Sequence, residues 1–396
     1  MTTRARIACG LAVAALAASS PAWAQPETPG PYAVGTWVPT SADAPPIPLS
    51  PGGVFYPKTG GPFPPVALIH GAAENGGLHT VMATTLASRG LVVLAPTFSD
   101  GLIAPTTADG DAINALLDWS VQASGNASSP LAGKVLGTTR GVIGHSNGGV
   151  IFYAAAQSPL IKSIVGLDAN AYLDSATGFG GPSLHLLSAH HDCNTGKTTG
   201  YMDAPPPKLM ATVVDGDHCD VDNPADPLCP LVCGGTSWNA SASNTFERYA
   251  VAWTACILAH DTSVAPWVYG PEMQADVDAG LITGIEQDSA AIVSCAGVDG
   301  GSFDAGADAD AGAPNDASAV GTGTSDASVG VGGSAGTGGA AAGGGSPRPG
   351  PPRGCGCKAA VGAHVPSGTW WVTSALLAWL GGKRRRPCAA RPGARR

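Results

Sequence analysis

Gly144-His145-Ser146-Asn147-Gly148 fits G-x-S-x-G, the pattern of a nucleophile elbow, in which a serine stands on a sharp strand-to-helix turn with its hydroxyl clear of the sheet. The apolar Gly141-Val142-Ile143 precedes it and the helix-competent stretch Val150 to Ala156 follows. Five-residue glycine patterns arise by chance in a chain with 56 glycines, so the motif gains weight only from partners elsewhere. A serine hydroxyl is a weak nucleophile until a base takes its proton and an acid orients that base.

Where an elbow serves catalysis, the triad follows in chain order as Ser, Asp or Glu, then His. His185, His190, His191, His218 and His260 all follow Ser146. His185 falls inside a predicted strand, and His260 ends a predicted helix, where a cation suits the dipole. His190 and His191 come too early. His218, in Val214-Asp215-Gly216-Asp217-His218-Cys219, directly follows a predicted strand and is the expected base.

Two residues compete for the acid. Asp168 ends the predicted strand Ser163 to Leu167, and a carboxylate there needs a partner. Asp192 lies beyond the next strand, and a Cys193–Cys219 bridge would bring its loop to His218. Asp168 is taken first, with Asp192 as the alternative. The developing oxyanion needs two backbone N–H donors. These are expected from Asn147, next to the nucleophile, and from Ala72, in the loop opened by His70-Gly71.

Several elements must position these residues. Val66 to His70, Leu91 to Ala95, Ser163 to Leu167 and Ser183 to Leu187 read as buried strands, with Met210 to Val214 as the last. Thr80 to Ser88, Asp109 to Gln122 and Phe246 to Leu258 read as helices. Short strands at Ala33 to Val38 and Val54 to Tyr56 are expected to pair antiparallel at one edge. This alternation predicts an α/β class, a mostly parallel central sheet flanked by helices in the α/β-hydrolase order.

The two ends differ from this domain. Arg4 and Arg6, an apolar run from Ile7 to Ala18 and Ala22-Trp23-Ala24 read as a signal peptide over residues 1–24. Residues 25–296 are expected to form this one α/β domain. Residues 297–353 are rich in Gly, Ala and Asp and poor in large apolar side chains, as expected of a disordered linker; their aspartates have neither EF-hand nor nonapeptide spacing. Residues 354–396 carry Cys355-Gly356-Cys357, an apolar stretch from Trp370 to Leu380 and Lys383-Arg384-Arg385-Arg386. That order resembles the C-terminal sorting signal of myxobacterial surface proteins, which implies sorting or anchoring machinery and a membrane as partners.

Of the ten cysteines, Cys193, Cys219, Cys229, Cys233, Cys256 and Cys295 lie in the domain. An even set in an exported chain points to disulfides. The pairs expected are Cys193–Cys219, Cys229–Cys233 and Cys256–Cys295. No paired C-x-x-C at zinc spacing occurs, so no metal and no cofactor are expected. The net charge of −9 and the lack of a Lys/Arg patch in the domain argue against nucleic acid.

Gly30-Pro31-Tyr32-Ala33-Val34, Gly53-Val54-Phe55-Tyr56-Pro57, Leu86-Ala87-Ser88-Arg89-Gly90-Leu91-Val92-Val93 and Asn126 to Val135 recur in order. They resemble the PET hydrolase/cutinase-like group of α/β-hydrolases, which is related to chlorophyllase-like and dienelactone-hydrolase-type enzymes. The resemblance runs from about Gly30 to Cys295. It implies a carboxylic ester hydrolase with a Ser-His-Asp triad and disulfides near the base. Polyester hydrolases carry an aromatic ring where this chain has Ala72 and a tryptophan where it has Asn170, so both rings that clamp an aromatic polyester are missing. Gly166-Leu167-Asp168-Ala169-Asn170 is closer to the chlorophyllase-like pattern, whose aspartate is the triad acid, while polyester hydrolases place the acid where Asp192 stands.

The expectation is therefore an exported, surface-displayed serine esterase, monomeric, acting on acyl esters through an acyl-enzyme. An acyltransferase or perhydrolase on the same triad is the alternative within enzymes. A displayed binding protein on a hydrolase fold is the alternative outside them.

Overall fold

A computed structural model describes residues 25–170, 178–190, 193, 197–235, 238–288 and 293–296. The expected signal peptide, linker and C-terminal sorting segment lie outside the described residues, as do Asp192 and His191. Among the described residues no helix is long and apolar enough to cross a membrane.

Nine strands form one sheet: β1 (Val34–Trp37), β2 (Gly53–Pro57), β3 (Pro65–Ile69), β4 (Val92–Ala95), β5 (Arg140–His145), β6 (Ile161–Leu167), β7 (Ser183–His190), β8 (Lys208–Asp217) and β9 (Ile282–Asp288). Their order across the sheet is β1-β2-β4-β3-β5-β6-β7-β8-β9. β3 to β8 run parallel; β1, β2 and β9 are antiparallel additions at the two edges. β9 extends the sheet beyond the strand expected to be last. Its Ile-Thr-Gly-Ile-Glu-Gln-Asp sequence is exposed after Ile282, and an edge strand wet on its outer side lacks the apolar run that marks the inner ones.

The inner strands are hydrophobic throughout because both faces are covered, and successive side chains point to opposite faces. Val66 and Leu68 of β3, Val93 of β4 and Ile143 of β5 join one core with Phe246, Tyr249 and Trp253 of helix α6 (Ala240–Ala259). Ala67 and Ile69, Val92 and Leu94, and Val142 join the other, with Ile113, Leu116 and Leu117 of α2 (Thr107–Gly125) and Phe152 of α3 (Ile151–Gln157). α2 starts two residues before its predicted start. There Thr106 caps it, its backbone N–H and hydroxyl donating to Asp109 Oδ2 at 2.7 and 2.8 Å, a reciprocal cap that fixes the helix start ahead of its first buried residue, Gly110. α1 (Thr80–Ser88) matches its predicted span.

The topology selects the location of chemistry. From β3 the chain crosses outward to β4, then returns past β3 to β5. The loops leaving the carboxyl ends of β3 and β5 diverge at that switch point and leave a crevice, the place where open α/β sheets bind ligands. Ala72 and Ser146 lie on those two loops.

Candidate active site

Ser146 directly follows β5 and opens a tight helical turn, residues 146–150, that leads into α3. Its φ is +51°, a left-handed conformation that costs a side-chain-bearing residue roughly 1–2 kcal/mol. The surrounding glycines permit it by close approach. A Cβ on Gly144 would lie 2.3 Å from Gly148 O, and one on Gly148 would lie 2.6 Å from Ile69 O. β5, the elbow and the end of β3 are thus packed backbone to backbone.

Asp168 follows β6 directly, fully buried, with φ at +44°. Its Oδ2 accepts a 2.6 Å hydrogen bond from His218 Nδ1, and its Oδ1 accepts the Ser188 N–H at 3.0 Å. Lys197 Nζ stands 3.7 Å from Oδ1 and donates to Ser188 O at 2.7 Å. Burial pushes the carboxyl up, but the His218 bond and charge, Lys197 and the Ser188 N–H outweigh it and hold Asp168 below its ordinary range. Lys197 was not singled out by the sequence; nothing local distinguishes it from a surface lysine.

His218 begins the turn after β8 (residues 218–221) and is 2 % exposed. Its carbonyl accepts from His145 Nε2 at 3.1 Å, and the two imidazoles lie 4.7 Å apart between centroids. His145 immediately precedes Ser146, so the expected base is fastened to the residue beside the expected nucleophile. Among the described residues no hydrogen bond joins Ser146 Oγ to His218. Such bonds are often long without substrate and tighten in the Michaelis complex. With Nδ1 donating to Asp168, Nε2 is the nitrogen left to take a proton.

Below the elbow, His145 Nδ1 donates to Glu74 Oε2 at 3.1 Å, and Gly71 N–H donates to the same oxygen at 2.6 Å. Burial pushes the Glu74 carboxyl up, but the charge and hydrogen bond of His145, with His79 and the Gly71 N–H, bring it down to about 2. Burial pushes His145 down, yet Glu74, Asp222 and Asp168 carry it up to about 9. Both ring nitrogens of His145 face acceptors, which agrees with an imidazolium. Glu74 therefore ties the loop after β3 to the elbow. It was missed because no sequence pattern links it to His145, 71 residues on.

That loop carries the first expected oxyanion donor. Ala72 is exposed, its neighbour Ala73 donates to Gly101 O at 2.7 Å, and Ala72 N–H meets no acceptor among the described residues. His70 braces the same crevice. Its Nδ1 donates to Gly71 O at 2.7 Å and its Nε2 accepts the Phe98 N–H at 3.0 Å. Burial lowers its pKa, which keeps the acceptor nitrogen available. Asn147, the other expected donor, fastens the opposite wall through its side chain: Nδ2 donates to Leu102 O at 2.7 Å, and Oδ1 accepts from Asn170 Nδ2 at 3.3 Å.

His185 and His260 stay out of this arrangement. His185 is buried inside β7, stacked on Phe152 with its Nε2 3.1 Å from Ser183 Oγ. His260 caps α6 in a left-handed conformation.

The cysteines correct the expected pairing. The bridges are Cys193–Cys233, Cys219–Cys229 and Cys256–Cys295; the last agrees with expectation, while Cys193–Cys219 and Cys229–Cys233 do not form. Cys229 and Cys233 begin and end a one-turn helix, α5 (Cys229–Cys233). On a helix, residues four apart have Cβ atoms about 5–6 Å apart, beyond the roughly 3.5–4.5 Å a disulfide spans. Each therefore reaches a different loop: Cys229 takes Cys219 beside His218, and Cys233 takes Cys193. Three bridges among the described residues fit an oxidising, extracellular environment.

A family model described as PETase, PET hydrolase-like, matches residues 21–193. No curated protein matches the chain. The match carries the α/β-hydrolase fold and a hydrolase of the esterase type. It takes in the loop of Ala72, the elbow and Asp168, and it ends before His218.

Proposed function

We propose, on this PET hydrolase-like frame, that the chain is an exported, surface-displayed serine carboxylic ester hydrolase with Ser146, His218 and Asp168 as its triad. The observation that carries the reading is the 2.6 Å bond between His218 Nδ1 and Asp168 Oδ2, in a base anchored through His145 to the elbow.

Ser146 Oγ attacks the ester carbonyl while His218 Nε2 takes its proton, and Asp168 holds the ring in the tautomer that leaves this nitrogen basic. The amides of Ala72 and Asn147 receive the oxyanion. His218 then returns the proton to the departing alcohol, leaving Ser146 acylated. Water, deprotonated by His218, releases the acid and restores the serine. Ala72 and Asn170 stand where polyester hydrolases place their clamping rings, so small or aliphatic acyl esters suit this crevice better than aromatic polyesters. The disulfides support export, and the C-terminal Cys-x-Cys, apolar stretch and Arg cluster support display at the surface.

Turnover of p-nitrophenyl acetate and butyrate by the purified protein tests the reading. Ser146→Ala is expected to lower kcat by about 10⁴-fold or more. Equal turnover by wild type and Ser146→Ala would overturn it and leave the binding-protein alternative.

A further inference from the structure

Four side chains converge directly beneath the elbow from three loops that are far apart in sequence. Glu74 comes from the loop after β3 and His79 from the residue before α1. His145 comes from the end of β5, and Asp222 lies four residues beyond His218. All four are buried, Asp222 and His145 completely. One ligand-type atom from each lies within 4.8 Å of every other.

The separations have a specific size. His145 Nδ1 is 3.1 Å from Glu74 Oε2 and 3.6 Å from Asp222 Oδ1. His79 Nε2 is 3.8 Å from Glu74 Oε2 and 3.9 Å from Asp222 Oδ1. Metal–ligand bonds of about 2.0–2.2 Å put the edge of a coordination tetrahedron at roughly 3.4 Å. Four of the six edges run from 3.1 to 3.9 Å around that value, and the other two, Glu74–Asp222 and His79–His145, lie within 4.8 Å.

A second observation points into the same space. Neither ring nitrogen of His79 and neither carboxylate oxygen of Asp222 has a hydrogen-bond partner among the described residues. Buried polar atoms are nearly always satisfied, and unpaired ones cost about 1–3 kcal/mol each. Two carboxylates and two neutral imidazoles around a divalent cation form a neutral set, so the filled site buries no net charge. His145 is also supported as a metal-bound imidazole should be, with its other nitrogen donating to a backbone carbonyl, that of His218.

We propose that Glu74, His79, His145 and Asp222 bind one divalent first-row transition-metal ion, zinc in the first instance, as a closed structural site. Imidazole and carboxylate ligands in a tetrahedral set suit zinc, and Co²⁺ can stand in for it. The ion replaces the proton on His145 Nδ1 and joins the loop of Ala72, the elbow strand and the turn of His218 in one fixed unit. It takes no part in bond making; the site is separate from the ester chemistry and stands or falls independently of it.

Metal analysis of the full chain, purified oxidised and without chelators or metal-affinity resin, tests the proposal. About one equivalent of zinc per chain is expected, and removing and restoring it should shift Tm by several degrees. His79→Ala and Asp222→Asn should each lose the metal, while Ser146→Ala keeps it. Substituting Co²⁺ into the wild type should produce the visible absorption of a tetrahedral N/O site, a readout that needs no variant to fold. Wild type with less than about 0.1 equivalent of any first-row metal, unchanged in Tm on refolding with Zn²⁺ or Co²⁺, would overturn it. So would full metal content in a folded His79→Ala.

Discussion

His218 Nδ1 donates to Asp168 Oδ2 at 2.6 Å, across 50 residues of sequence. The two residues come from turns at the ends of β8 and β6, two strands apart in the sheet, and β7 between them contributes the Ser188 N–H that completes the carboxylate. If this pair orients the base, Asp168→Asn should leave the fold intact and lower kcat by roughly 10³–10⁴-fold, through the wrong tautomer. Asp192→Asn should stay within a few-fold of wild type. The reverse result in p-nitrophenyl butyrate assays would make Asp192 the acid.

The elbow depends on the missing Cβ at position 148. Gly148→Ala places a methyl 2.6 Å from Ile69 O and 2.9 Å from His70 O, both backbone atoms that cannot swing aside. β3 must move away from β5 at the loop of Ala72. Displacements of about 1 Å at a reacting centre cost on the order of 10²-fold in rate, and overpacking costs about 1–3 kcal/mol in stability. Urea titration together with kcat should show both losses; a variant with wild-type kcat would refute the packing argument.

The disulfide pattern is open to direct mapping. Peptide mass spectrometry of the oxidised protein should recover Cys193–Cys233 and Cys219–Cys229 cross-links. Cys256–Cys295 closes a separation of 39 residues, so replacing both by serine should lower stability by about 4 kcal/mol on the loop-entropy estimate. A change below about 1 kcal/mol would show that the reduced chain keeps those segments together.

Glu247, on α6, supplies a pH dependence away from the site. Its carboxyl is 2 % exposed and accepts from Thr85 Oγ1 at 2.6 Å. Burial raises it from 4.5 to about 7, against the Thr85 bond, with the charge of Glu27 adding to the rise. The folded state therefore holds a proton that the unfolded state releases near 4.5. The stabilisation is complete below that pH and is lost as pH rises through about 7, by at most about 3 kcal/mol. Glu247→Gln keeps the acceptor for Thr85 and removes the titration. Its stability relative to wild type should grow between pH 5 and 8; a constant difference across that range would contradict the assignment.

Much of this protein is legible along the chain because the signals are local. Buried strands, α1, the elbow and the strand-ending positions of Asp168 and His218 follow from apolar runs, glycine spacing and chain order, each written within a dozen residues. The antiparallel pairing of β1 with β2 follows from short strands at an edge. β9 did not reveal itself, since a wet edge strand has no apolar alternation of its own. The tertiary structure decided what depends on which turns become neighbours. It brought His218 to Asp168, sent Cys219 to Cys229 rather than Cys193, and gathered Glu74, His79, His145 and Asp222 under Ser146. Those outcomes are set by strand order and crossovers, and contacts between residues tens of positions apart leave no periodic trace in the sequence.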